Sequence, residues 1–248
     1  MAIVLIGIDD TDNDTSPGTG QIARRLAQEI AQRNTKLLGI TRHQFLVDDR
    51  IPYTSHNSGA CIAIDWSSPL SELQFAIDLL TEWAAEGSDP GICIVARDQV
   101  PSRIMEWGWA ATREVLTKDQ AIALAESNGI CLQALGGTGD GIISALASVG
   151  LRADGNEGRF LDLPGLRLLG ELVGIEELIE IGIHVDHHLP KGPAGSLAAK
   201  TVHNGAKYKT LNWVRPRLLG GQPVWPVEWS DDEYAWIPVD RKKSRPLE

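Results

Sequence analysis

The apolar run Ile3-Val4-Leu5-Ile6-Gly7-Ile8 stops abruptly at Asp9-Asp10-Thr11-Asp12, three carboxylates within four residues. A short run rich in branched apolar side chains and ended by polar ones reads as a buried strand. The acids then stand at its carboxyl end, where open α/β sheets keep their ligand crevices. Three like charges this close repel one another unless a cation stands among them. Hard oxygen ligands suit Mg²⁺, which takes one or two carboxylates and leaves substrate phosphates to complete its shell. A solvated acidic turn is the alternative, because Asp is an ordinary turn residue.

Residues 13–20, Asn-Asp-Thr-Ser-Pro-Gly-Thr-Gly, form a loop by composition. Beyond it Ile22, Ala23, Leu26, Ala27 and Ile30 recur at helical spacing and predict a helix from Gln21 to Arg33. Strand, acidic turn, Gly- and hydroxyl-rich loop and helix therefore follow in that order. The free N–H groups at such a helix start attract phosphate, and Gly18, Thr19 and Gly20 stand there. The Gly-Lys-Ser/Thr ending of a P-loop is absent. A second Gly-rich turn, Gly136-Gly137-Thr138-Gly139-Asp140-Gly141, precedes an apolar helical pattern and offers a second phosphate cradle. Asp140 is either a metal or ribose ligand or the N-cap of that helix.

Three ordered motifs now carry a resemblance. Gly7-Ile8-Asp9-Asp10-Thr11-Asp12 with Thr19 seven positions on, Ile51-Pro52-Tyr53 leading to Gly59-Ala60, and Gly136 to Ala147 resemble segments of the tRNA(Ile) agmatinylcytidine synthetase family. The resemblance implies a kinase-like α/β domain with an inserted ferredoxin-like unit. It also implies acids (Asp9, Asp10, Asp12) that hold Mg²⁺, cleavage of ATP, and a threonine (Thr19) that accepts phosphate on the way to activating a cytidine carbonyl. Gly18 stands where the family usually has Cys, and Gly20 replaces a second Thr. Full-length members add an OB-fold and a Cys-rich zinc ribbon that grip tRNA. Here Cys61, Cys93 and Cys131 are far apart, without a Cys-x-x-Cys, which excludes a zinc site of the usual pattern.

The formal charge of −10, from 33 acids against 23 Lys plus Arg, argues for weak intrinsic nucleic-acid binding. Scattered cysteines and the absence of a membrane-length apolar stretch or a signal pattern give the expectation of a cytoplasmic protein. Between the motifs, strand patterns at Ala60–Ile64, Ile92–Ala96 and 130–135 alternate with helical ones near 70–84, 102–112 and 118–128. The expected division is an ATP- and Mg-binding α/β domain (1–58 and 136–190), an inserted ferredoxin-like domain (59–135) and a β-rich C-terminal extension (191–248).

Further candidates come from local chemistry. His56 and Asn57 after Pro52 form either a substrate wall, with His56 as acid or base, or a hydrogen-bonded turn. Arg42, on the strand-like run Leu37–Val47, is placed to meet a phosphate. His184-Val185-Asp186-His187-His188 is a metal cluster or a solvated turn, and Asp162 is a further acid. Trp83, Trp107 and Trp109 are core or base-stacking residues. In the C-terminal stretch, Lys191, Lys200, Lys207, Lys209, Arg215 and Arg217 alternate with Tyr208 and Trp213, ahead of Trp225, Trp229 and Trp236. Such a stretch contacts nucleic acid, or is a β-rich appendage that covers a sheet edge or builds a subunit contact, a homodimer among the arrangements it allows.

The functional expectation is an ATP- and Mg²⁺-using phosphoryl or nucleotidyl transferase, of ligase or phosphotransferase type, with a small-molecule amine or RNA as acceptor. Its alternatives are tRNA cytidine modification with agmatine, a partner supplying the tRNA grip, and a non-catalytic nucleotide sensor or partner subunit.

Overall fold

The computed structural model describes residues 2–33, 35–52, 56–188, 205–212 and 214–239. Tyr53, Lys191, Lys200, Trp213 and the tail from Arg241 lie outside them.

The first six elements are β1 (Ala2–Asp9), α1 (Thr19–Ala31), β2 (Lys36–Gln44), β3 (Ser58–Trp66), α2 (Gln74–Trp83) and β4 (Gly91–Ala96). Their strands lie in the order β4-β1-β3-β2, every neighbour antiparallel. This is the split βαβ, ferredoxin-like layout. The sequence placed that unit at 59–135; the strands instead form it from residues 2–96. The reason lies in β3. Its alternating Ala60, Ile62 and Ile64 pattern conceals small residues, Cys61 and Ala63, that are buried on the opposite face. A strand covered on both faces takes a central place, and β3 enters between β1 and β2 with Ile6 facing Ile62 and Ile40 facing Ile62 from the other side. The division expected at 58/59 thus falls between the first two residues of β3, both paired with β2, and the sheet has no seam there.

Helices cover both faces. On one, α1 and α2 pack over Val4, Ile6, Ile8, Ile62 and Ile64. On the other lie α3 (Ser102–Ala111), α4 (Lys118–Ser127) and α5 (Gly141–Asp154), over Leu5, Cys61, Ala63 and Val95. β5 (Cys131–Ala134) adds to β4 at one edge. α5 crosses β1 in backbone contact: a Cβ at Gly7 would collide with the Ala145 carbonyl and come within 2.9 Å of Val149 Cγ2. Gly91 meets Gly141 in the same way. Only glycine permits such an approach, and it sets the first turn of α5 above the acidic end of β1.

Beyond β2 the sheet continues through β6 (Arg159–Asp162), β10 (Arg217–Leu219), β11 (Gln222–Ser230), β12 (Ala235–Pro238) and β9 (Tyr208–Lys209) to β7 (Leu172–Val173). β8 (His184–His188) pairs parallel with β11. The β-rich C-terminal part therefore extends the same sheet, over its own core of Phe160, Leu178, Leu218, Trp225 and Trp236. The amphipathic run 168–183 forms only a short helix, α6 (Ile175–Glu180), with Leu168 left 88% exposed. The chain is thus mixed α/β with a β-rich C-terminal part. Among the described residues no helix is long and apolar enough to cross a membrane.

Candidate active site

The end of β1, the start of α1, the start of α5 and the connection after β2 enclose a cavity of about 400 Å³. It is lined by Asp9, Asp10, Asp12, Gly18, Thr19, Gly20, Arg42, His56, Asn57, Asp140 and Gly141 from the sequence reading. Gly136, Gly137, Thr138 and Gly139 do not line it. That turn is instead clasped by Asp89, whose carboxylate accepts from the Thr138 backbone N–H and, at 2.7 Å, from the Thr138 hydroxyl.

The acidic turn is tightly built. Asp9 is buried, and its carboxylate accepts a hydrogen bond from the Ser144 hydroxyl on α5. Burial, reinforced by the charges of Asp10 and Asp12 and opposed by the Ser144 bond, pushes the Asp9 pKa up to about 7. Asp10 is raised to about 6, by burial first and then by the charges of Asp89 and Asp12, while the Asp89 backbone N–H opposes the shift. Its backbone sits at φ +53°, in the left-handed region that Asp tolerates better than most residues. Such conformations persist where surrounding structure holds them, and they cluster at functional sites.

Asp12 faces the other way. Its Oδ1 accepts the Thr19 N–H at 2.9 Å and the Thr19 hydroxyl at 2.6 Å. The Thr19 hydroxyl in turn accepts from the Thr11 hydroxyl at 3.1 Å. The helix begins at Thr19 rather than Gln21, and Gly18 holds the cap position without a side-chain bond. Asp12 therefore satisfies a free N–H of the first turn from seven residues upstream. Among the described residues no three His, Cys, Asp or Glu side chains stand as a ready metal cluster. Asp12 is engaged by Thr19, and Asp9 by Ser144.

Asp140 stands at the N-cap position of α5 but makes no capping bond, and Lys118 Nζ lies 3.8 Å from it. The first turns of α1 and α5 hold no acidic side chain. Two helix starts thus open toward one cavity, with Asp12 bound to the first N–H of α1 and Asp140 at the N-cap of α5.

Arg24, Arg42 and Arg50 also line the cavity, and further arginines lie next to Arg42 in the sheet. Arg42 donates from Nε to Ser58 Oγ at 2.8 Å, and burial lowers its pKa against the pull of Asp9. Across the sheet Arg42 faces Arg159, and Arg159 faces Arg217. Arg215 is also lowered, by burial first and then by repulsion from Arg24, Arg167, Arg42 and Arg159. The connection after β2 is held by Asn57, which donates its amide to the Leu46 carbonyl at 2.6 Å and accepts from the Phe45 N–H at 2.9 Å. Exposed His56 lies beside it on the cavity wall.

The other candidates lie elsewhere. His184–His188 is a strand, not a turn: His188 pairs with Asp186 at 3.0 Å and His187 with the Tyr208 hydroxyl at 2.9 Å, outside the cavity. Asp162 is bound to Arg167 at 3.2 Å. Trp107 is buried and donates to the Ile143 carbonyl, and Arg25 stacks 3.7 Å from the Trp83 ring centre. Sequence reading missed Ser144, Asp89 and Arg24. Ser144 was the one legible clue, a hydroxyl within the apolar pattern of residues 142–149.

No protein-family model matches the chain, and no curated protein sequence does. Solved structures do. TiaS in complex with an isoleucine tRNA and ATP is similar with a TM-score of 0.53 and 26% identity, over 60% of this chain and 36% of that one. A tRNA fluorescent-labelling enzyme gives a TM-score of 0.52 and 27% identity over the same shares. TiaS with the same tRNA, AMPCPP and agmatine gives 0.51 and 25%, again over 60% and 36%. The match spans little more than a third of those proteins. The resemblance that three sequence motifs carried is thus repeated by the fold, and the chain contains a TiaS-like domain.

Proposed function

We propose that this chain is an ATP-dependent RNA-modifying enzyme, in which Asp9 and Asp10 hold Mg²⁺ and Thr19 receives a phosphoryl group. The observation that carries the reading is the acidic turn, Asp9 to Asp12, sharing one cavity with Thr19 and the starts of α1 and α5. The donor set fits the metal: two hard carboxylates resist ionisation in this protein environment, and a cation beside them relieves both burial and mutual repulsion. When bound, Mg²⁺ neutralises the charge that develops on the transferring phosphate.

The protein's own part is positioning. Ser144 fixes the Asp9 carboxylate, and the N–H of Gly20, in the first turn of α1 on the cavity wall, is placed to receive a phosphate oxygen. Asp12 holds the Thr19 hydroxyl by its proton. As the Thr19 oxygen bonds to phosphorus, the bond from phosphorus to ADP breaks and the proton passes to Asp12. The phosphoryl group is then available to activate an acceptor carbonyl.

RNA is the acceptor that the arginine cluster supports. In a chain of net charge −10, Arg24 and Arg42 on the cavity wall, with Arg215 electrostatically coupled to both and to Arg159 and Arg167, are the local excess of cations that a phosphate backbone requires. The similar TiaS structures, solved with tRNA and with ATP or AMPCPP, point the same way. The test is ATP consumption by the purified chain with Mg²⁺, with and without tRNA, alongside intact-mass analysis. Turnover that tRNA accelerates and a phosphorylated protein species are expected. No ATP consumption under either condition overturns the enzymatic reading and leaves a nucleotide sensor.

A further inference from the structure

A second cavity, of about 690 Å³, lies at the beginnings of β1 and β2, where they meet the C-terminal β-rich part. Its charged lining is Lys36, Arg97, Arg152 and Glu180, three cations against one carboxylate, so the cavity carries a net charge of +2 inside a chain of −10. Arg152 is the deeper arginine. It lies in the last turn of α5, its guanidinium 5.1 Å from the ring centre of Phe160. Its Nε is shielded from solvent and has no hydrogen-bond partner among the described residues. Burial pulls its pKa down and the charge of Arg97 adds to the effect. The acidic group coupled to it, the Cys61 thiol, is pushed up by burial to about 12 and stays neutral, so it supplies no counter-charge.

Arginine does not escape such a place by losing its proton. The carbonyl end of α5 and the Phe160 ring compensate one guanidinium in part. They do not account for a second arginine lining the same cavity. A buried charge left without a partner is strongly destabilising, and a planar fork of donors with two net charges matches a dianionic phosphate group. Leu5, Leu38 and Leu163 line the rest of the cavity and offer an apolar surface to an organic substituent.

We propose that the Arg97–Arg152 cavity binds a phosphate dianion, free or carried on a small organic molecule. The site is separate from the acidic cavity and does not depend on the function proposed for it.

Calorimetry in phosphate-free buffer tests this with inorganic phosphate, glycerol 3-phosphate and acetate as probes. Saturable binding of a phosphate is expected, with acetate weaker. Tighter binding of glycerol 3-phosphate than of inorganic phosphate assigns the apolar wall to the organic part, and the reverse order assigns the site to the free ion. Arg97→Gln and Arg152→Gln should each weaken phosphate about tenfold or more and leave Mg-ATP affinity unchanged. Arg97 stands on an exposed turn, so its variant decides the matter even where Arg152→Gln fails to fold. A second readout is Arg152→Met, which should melt higher than wild type without anion and lose the stabilisation that phosphate gives wild type. Absence of saturable phosphate binding, or equal binding in wild type and Arg97→Gln, overturns the proposal.

Discussion

The hydroxyl of Ser144 donates to the carboxylate of Asp9 across 135 residues of sequence. That bond joins the first strand to the helix that lies over it, and it exists because Gly7 and Gly91 let α5 descend onto the sheet. Close packing in this fold thus serves the site directly. The same approach that buries Ala145 and Val149 brings a hydroxyl, a helix start and a buried acid together.

The raised pKa values of Asp9 and Asp10 carry a pH dependence. An acid with a higher pKa folded than unfolded binds more protons in the folded state, so stability is fully present below about pH 4 and falls as pH rises through 6 to 7. Each unit of pKa difference corresponds to roughly 1.4 kcal/mol. In chelator, the melting temperature should fall between pH 5 and pH 8, and Asp9→Asn should flatten that fall. Mg²⁺ should restore stability at pH 8 in wild type alone. A wild-type profile as flat as that of Asp9→Asn contradicts the assignment.

Asp10→Ala should weaken Mg-ATP binding by about tenfold or more, equivalent to about 1.4 kcal/mol, and chelator should do the same to wild type. Folding should persist, because the side chain is only half-buried. Calorimetry showing one affinity for wild type, variant and chelated protein would falsify the metal role.

How much of this was written in the sequence varies by element. β1 and the acids were plain, because an apolar run and a charge cluster are local signals. The β3 position was not, since Cys61 and Ala63 are too small to announce a second buried face. Thr19 was singled out by the family resemblance, yet its bond to Asp12 depends on a loop whose path no periodicity records. Ser144 and Asp89 join the site through contacts more than a hundred and about eighty residues from the acids they affect. The arginine cluster was hidden for the same reason: Arg42, Arg159 and Arg217 meet only because three strands pair in register.

That cluster gives an RNA prediction. With a net charge of −10, the isolated chain should bind tRNA weakly at physiological salt. What binding there is should run through the arginines. Arg215→Ala should weaken it and lower the slope of log affinity against log salt by about 1. An unchanged slope would place the RNA elsewhere.

Gly7→Ala tests the packing argument. The added methyl meets the Ala145 backbone, which cannot move without shifting α5. Overpacking of this kind costs about 1–3 kcal/mol, and more where backbone is the obstacle. Denaturant unfolding should show a loss in that range, together with weakened ATP binding as α5 lifts from the acids. A stability within about 0.5 kcal/mol of wild type would show that the helix yields freely.

Thr19 is the residue on which the chemistry turns. Its hydroxyl donates to Asp12 at 2.6 Å and accepts from Thr11, at the first position of α1. A threonine hydroxyl is a poor nucleophile until a base holds its proton, and Asp12 is placed to do so. The competing explanation is structural, because the same bonds also tie the loop to the helix. The two separate by substitution. Thr19→Ala removes the hydroxyl and leaves the Asp12 bond to the backbone N–H intact, so a structural loss should be about 1 kcal/mol. If the hydroxyl receives phosphate, Thr19→Ala should abolish ATP turnover and the phosphorylated species while ATP affinity and folding persist. Thr19→Ser should restore both in large part, because it returns the nucleophile without the methyl. Normal turnover in Thr19→Ala would assign the hydroxyl to the scaffold and remove the covalent step from the mechanism.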